Sequence, residues 1–113
     1  MGQYTYIVLT NPVEGREDEY NDWYDNTHLH DALRIPGFVA AQRFELADAQ
    51  RAEPPHPWKY LAIYELEIDD PQKTVDALAA AYNTPDMIIS EALSQVRLGW
   101  IYQPITERLE AKR

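Results

Sequence analysis

Between residues 20 and 38 the chain reads Tyr-Asn-Asp-Trp-Tyr-Asp-Asn-Thr-His-Leu-His-Asp-Ala-Leu-Arg-Ile-Pro-Gly-Phe, and side chains able to move a proton or hold an oxygen recur there at helical spacing. On a regular α-helix with Tyr20 at zero, Thr27 falls at about −20°, Asp31 at about +20°, Tyr24 at about +40°, Trp23 at about −60° and His28 at about +80°. A core-facing stripe is ordinarily aliphatic. This one carries two phenols, an indole, a hydroxyl, a carboxylate and an imidazole, which must be satisfied one by one or line a pocket. The expectation is a pocket.

The chemistry such a pocket could do is proton transfer. His28, with an unperturbed pKa of about 6.5, can exchange a proton at neutral pH, and Asp31 at i+3 could orient it. Tyr24 or Tyr20 could donate a hydrogen bond to an oxygen that gains negative charge. Trp23 and Thr27 are expected as walls of the substrate site. Strand alternation adds Tyr6, Tyr64, Trp100 and Tyr102 from the sheet. Plainer roles stand beside these: His28 packed at a helix edge, Asp31 paired with Arg34, tyrosines filling a core, and Arg43 paired with Glu65 or crossing a dimer interface. His30 lies about 200° from His28 on the helix, so the two cannot share a metal, and it is expected at the surface. His56 falls in a Pro-rich stretch. With three scattered His and no Cys, no metal site is expected.

Around this segment the elements follow from periodicity and punctuation. Tyr4 to Thr10 reads as a strand, closed by Asn11-Pro12. A helix follows from about residue 16 to 33, with Glu14, Glu17, Asp18 and Glu19 at its start, where the helix dipole favours them, and Pro36-Gly37 stops it. Phe38 to Ala47 alternates as a second strand, and residues 48–57 form a polar loop with Pro54, Pro55 and Pro57. Trp58 to Ile68 is a third strand. Asp70 and Pro71 then start a helix running to about Tyr82. Thr84-Pro85-Asp86 is expected to open a short further helix to about Leu93, before a last strand from Val96 to Gln103. The order β-α-β-β-α-β is ferredoxin-like, an antiparallel four-stranded sheet with helices on one face. Residues 1–103 form the domain and 104–113 a charged tail. Apolar residues on both sheet faces imply that a second copy covers the far one, giving a homodimeric α+β barrel.

Composition narrows the function classes. The 113 residues suffice for one core, with 45% apolar and 26% charged residues as in globular domains generally. A net charge of −9 without any Lys/Arg cluster argues against nucleic acid and anionic membrane surfaces. No apolar run reaches the ~18 residues of a membrane span, and the start Met-Gly-Gln-Tyr-Thr-Tyr is unlike a signal peptide, so a cytoplasmic location is expected.

Tyr20-Asn21-Asp22-Trp23-Tyr24, His28, Asp31, Ile35-Pro36-Gly37-Phe38 and Ala41-Gln42-Arg43-Phe44 together resemble the dimeric α+β barrel superfamily, above all its EthD-like branch. Members of that superfamily mostly act without cofactor on small, often aromatic or polyketide-like molecules, as cyclases, isomerases, lyases, decarboxylases and oxygenases; others bind haem. The resemblance places the helix-1 histidine of those proteins on His28. Relatives tend to carry Pro where this chain has His30. The resulting expectation is a cofactor-independent lyase, isomerase, cyclase or dehydratase acting on a small carbonyl compound. The alternatives are a haem protein with a His axial ligand and a non-catalytic binding or assembly module.

Overall fold

In the computed structural model, residues 2–112 are described. The chain forms β1 (Gly2–Thr10), α1 (Glu17–Trp23), a π-helical turn (Tyr24–His28), α2 (Leu29–Ala32), β2 (Phe38–Glu45), β3 (Tyr60–Ile68), α3 (Pro71–Ala81) and β4 (Leu98–Tyr102). The strands pair antiparallel in the order β2-β3-β1-β4. This is the ferredoxin-like α+β architecture expected from the sequence. None of the helices among the described residues is long and apolar enough to cross a membrane.

Alternation decides which side of each strand meets the helices. Tyr4, Tyr6 and Val8 of β1 and Tyr60, Ala62, Tyr64 and Leu66 of β3 pack into the core with Tyr20, Trp23 and Tyr24. The intervening residues make rows on the other face, such as Gln42, Ile63, Ile7 and Trp100 side by side across the four strands. On that open face Phe44 and Trp100 are exposed. A bulge between Phe38 and Ala40 turns Val39 outward.

The connections are held by specific bonds. The Asp70 side chain accepts from the Gln72 N–H at 3.0 Å, with Pro71 opening α3. Gly37 has φ +98°, and a Cβ there would collide with the Thr74 hydroxyl that donates to the Pro36 carbonyl at 2.7 Å. The Pro-Gly turn is thereby fastened to α3. Asn11 clasps the end of the Pro-rich loop, donating to the Pro57 carbonyl at 2.7 Å and accepting from the Lys59 N–H at 2.9 Å.

The expected helix from Thr84 to Leu93 does not form. The Thr84 hydroxyl donates to the Ala81 carbonyl at 2.5 Å and accepts from the Asp86 N–H, while the Ser90 hydroxyl accepts from the Ala92 N–H. Side chains thus take backbone partners that a helix would need. The irregular path also buries Met87, Ala92 and Leu93 completely or nearly so, and ties to the segment after β1 by Val13 N–H to Ala92 O at 2.6 Å. β4 starts at Leu98, two residues later than expected, and residues 103–112 have no regular structure.

Candidate active site

The π-helical turn decides which side chains of the first helix face the sheet. At its end the Leu29 N–H donates to the Tyr24 carbonyl, five residues back. One residue is inserted into the helical register, so every later side chain lags by about 100°. His28 takes the inward place that a regular helix would give Thr27, and Thr27 is exposed. Ala32 takes the place of Asp31 and is buried. Two expected site residues are corrected by this single insertion. Thr27 leaves the inner flank, and Asp31 moves to its edge, where its carboxylate accepts from Arg34 Nη2 at 2.5 Å instead of orienting His28.

His28 is held by rings rather than by hydrogen bonds. It stacks on Trp23 with centroids 4.6 Å apart and meets the edge of Tyr24 at 5.1 Å. Trp23 is itself fixed by its indole N–H to the Ile88 carbonyl at 2.9 Å. Nδ1 of His28 is buried and has no partner among the described residues. Burial lowers the pKa to about 4; the Asp31 carboxylate opposes this, and the Arg97 and Arg43 guanidiniums add to it. The imidazole is neutral at neutral pH, a proton acceptor rather than a donor.

The side chain lines a cavity of about 280 Å³ between β1, β4, the π turn and the end of α3. Its polar groups are His28, Tyr6, Thr10, Tyr82 and Arg97, set among Val8 and leucines. The Tyr82 hydroxyl, like His28 Nδ1, is buried without a partner among the described residues. The Arg97 guanidinium lies 5.4 Å from the Tyr82 ring centroid, with one bond at 3.3 Å to the Ser94 carbonyl. Tyr6 rests over Gly99, where a Cβ would stand only 2.8 Å from the phenol oxygen. Burial raises its pKa first of all; Tyr82 adds to this, and Arg97 opposes it.

The other expected site residues lie behind or away from this hollow. Tyr20 is fully buried with its hydroxyl bonded to Thr10. Tyr24 is pushed up to about 12 by burial, only partly offset by hydroxyl interactions with Tyr64 and Thr10. Both phenols, with Tyr64 and Trp23, are packing behind the cavity wall. Arg43 stacks over Tyr24 at 4.3 Å and donates to Asp25 at 2.7 Å and Asn21 at 2.9 Å, rather than to Glu65. Trp100 stands opposite Ile7 on the other face of the sheet, 52% exposed, and does not meet His28. Tyr82, Arg97, Thr10 and Gly99 were not anticipated as lining residues. A glycine inside a strand was the available signal, since it marks a close approach. No cluster of His, Asp and Glu suited to a metal ion occurs among the described residues.

Comparison with known proteins places this geometry in a shared fold. No family model matches the sequence. Over 61 residues the chain is 38% identical to Core atranone cluster protein 1 of Stachybotrys chlorohalonatus, a match covering 52% of this chain and 24% of that protein. The match thus spans about a quarter of the length of that relative. Among solved structures, the cofactor-independent oxygenase SnoaB of Streptomyces nogalater superposes with TM-score 0.65 at 18% identity, over 97% of this chain and 100% of that one. The haem degrader MhuD of Mycobacterium tuberculosis gives 0.61 at 13% identity, over 93% and 98%. An EthD-family protein of Bacillus halodurans gives 0.56 at 14%, over 93% and 100%. These proteins share the ferredoxin-like α+β fold of this chain. The cavity, at about 280 Å³, is at the lower end of the roughly 300–1,000 Å³ usual for drug-sized ligands, and a haem would need more room than it offers.

Proposed function

We propose that this chain is a cofactor-independent enzyme acting on a small apolar or aromatic carbonyl compound, with His28 as the proton-transfer group. The observation that carries this reading is the pair of buried polar atoms, His28 Nδ1 and the Tyr82 hydroxyl, left without partners beside one cavity. Each such atom in a merely structural core costs ~1–3 kcal/mol, and a ligand that satisfies both accounts for them. His28 accepts a proton from the carbon beside the carbonyl. The imidazole becomes an imidazolium, and the substrate becomes an enolate with its charge on oxygen. The Tyr82 and Tyr6 hydroxyls are the donors available to that oxygen.

An imidazole held near 4 is a weak base on its own. An enolate forming beside it raises its proton affinity as the charge develops, which assists the transfer while it happens. The same deprotonated intermediate serves isomerisation, elimination, aldol-type cyclisation or cofactor-free oxygenation. The likeness to SnoaB supports the cofactor-independent class without selecting among these. A second copy of the chain would cover the open sheet face, burying Phe44 and Trp100 in a homodimer.

Exchange of α-hydrogens for deuterium in D2O, followed by NMR over a panel of aromatic 1,3-dicarbonyl compounds, tests the reading. His28→Gln, checked for native circular dichroism, should slow exchange by at least ~10²-fold, the usual contribution of a general base. Exchange undiminished in this variant, or absent with the native protein, would contradict it.

A further inference from the structure

The geometry points to a ligand bound as an oxyanion, a small and largely apolar acid whose negatively charged oxygen is held by Arg97 and Tyr82. This rests on the cavity being the ligand site, as proposed above, and adds the charge class of what enters it. The chain carries a net charge of −9, yet no Asp or Glu lines this cavity and Arg97 is its one formally charged group. Among the described residues no carboxylate pairs with Arg97; its bonding is one carbonyl and the face of the Tyr82 ring. The Tyr82 hydroxyl, on another residue of the same wall, is a second donor, buried and without a partner among the described residues. A guanidinium and a phenol on one wall both have donors that an acceptor would complete. An ionised acceptor makes the stronger bonds.

The remaining wall decides the body of the ligand. Val8, Leu78 and Leu93 offer only apolar contact, and the volume admits one or two fused rings. Carboxylates, phenolates and stable enolates share this chemistry. The sites of Arg97 and Tyr82 are separable from His28: the first pair sets which charge binds, and the imidazole sets whether a proton moves.

Binding of naphthalene-2-carboxylate and of its uncharged isostere naphthalene-2-carboxamide, each measured by calorimetry at pH 7, tests the inference. The native protein should bind the carboxylate at least ~10-fold more tightly, as expected for charge-assisted hydrogen bonds in a partly desolvated site. Arg97→Gln should abolish that preference, Arg97→Lys should restore part of it, and Tyr82→Phe should reduce it. His28→Gln should leave the preference standing while proton exchange is lost. Equal affinity for the two probes, binding of neither, or a preference that survives Arg97→Gln would overturn the inference. A preserved preference with unimpaired exchange in His28→Gln would overturn the catalytic reading alone.

Discussion

Two arginines meet tyrosine rings on the helix-facing side of this sheet, and they end in opposite states. Arg43 lies over Tyr24 at 4.3 Å and over Tyr20 and Tyr60 at 5.2 Å, and both of its terminal nitrogens are bonded, to Asp25 and to Asn21. The phenols around it are bonded too: Tyr20 to Thr10, and Tyr60 to Glu17 and Asn21. Arg97 lies over one ring, Tyr82, and beside it a phenol and an imidazole nitrogen have no partner. The first cluster is a finished core. The second has unpartnered groups, which on the proposed function a ligand completes. Aromatic richness is common to both, so what separates structure from function here is hydrogen-bond satisfaction, not composition.

Breaking the finished cluster should cost the most stability. Arg43→Ala removes two charge-assisted bonds and opens a gap among three rings, for an expected loss of about 3 kcal/mol in urea unfolding. Arg97→Ala should lose less than about 1 kcal/mol in the same experiment, because the group is not knitted into the core. Equal losses would erase the contrast between the two regions.

Acid sharpens it. His28 has a folded pKa of about 4 against an ordinary value of 6.5, so the unfolded chain binds the extra proton first. Its contribution is complete above pH ~6.5, declines as pH falls, and is gone below pH ~4, a loss on the order of 3 kcal/mol. Stability measured between pH 7 and 4 should fall less steeply in His28→Gln than in the native protein. Identical slopes would mean that the imidazole is already charged or already solvated.

Smaller effects probe the cavity wall and the register. Gly99→Ala places a methyl against the Tyr6 phenol, so the ring must swing into the cavity; ligand affinity should drop by ~10-fold with little change in fold. Thr27→Ala should alter stability by no more than about 0.5 kcal/mol and leave proton exchange unchanged, since the π turn puts this residue in solvent. A large effect there would argue for an unbroken α-helical register.

The topology was legible because each element announces itself locally: alternation in the strands, Asp70-Pro71 before α3, Pro36-Gly37 after the first helix. The inward side of that helix was legible only up to Tyr24. A one-residue insertion leaves no mark in apolar periodicity, so angles drawn for a regular helix favoured Thr27 and Asp31 where the structure turns in His28 and Ala32. Tyr82 and Arg97 escaped for another reason. They flank residues 83–96, whose Thr84-Pro85-Asp86 start imitates a helix while the hydroxyls of Thr84 and Ser90 divert the backbone. Trp100 was misassigned because alternation gives the spacing of a strand's faces but not which face meets the helices.

The proposed chemistry requires a neutral, inward, unpaired imidazole at residue 28. NMR of the histidine ring through a titration from pH 8 to 3, with the His28 signal assigned by its loss in His28→Gln, measures this directly. A midpoint near pH 4 is the predicted result; a midpoint at the ordinary value of about 6.5 would contradict it.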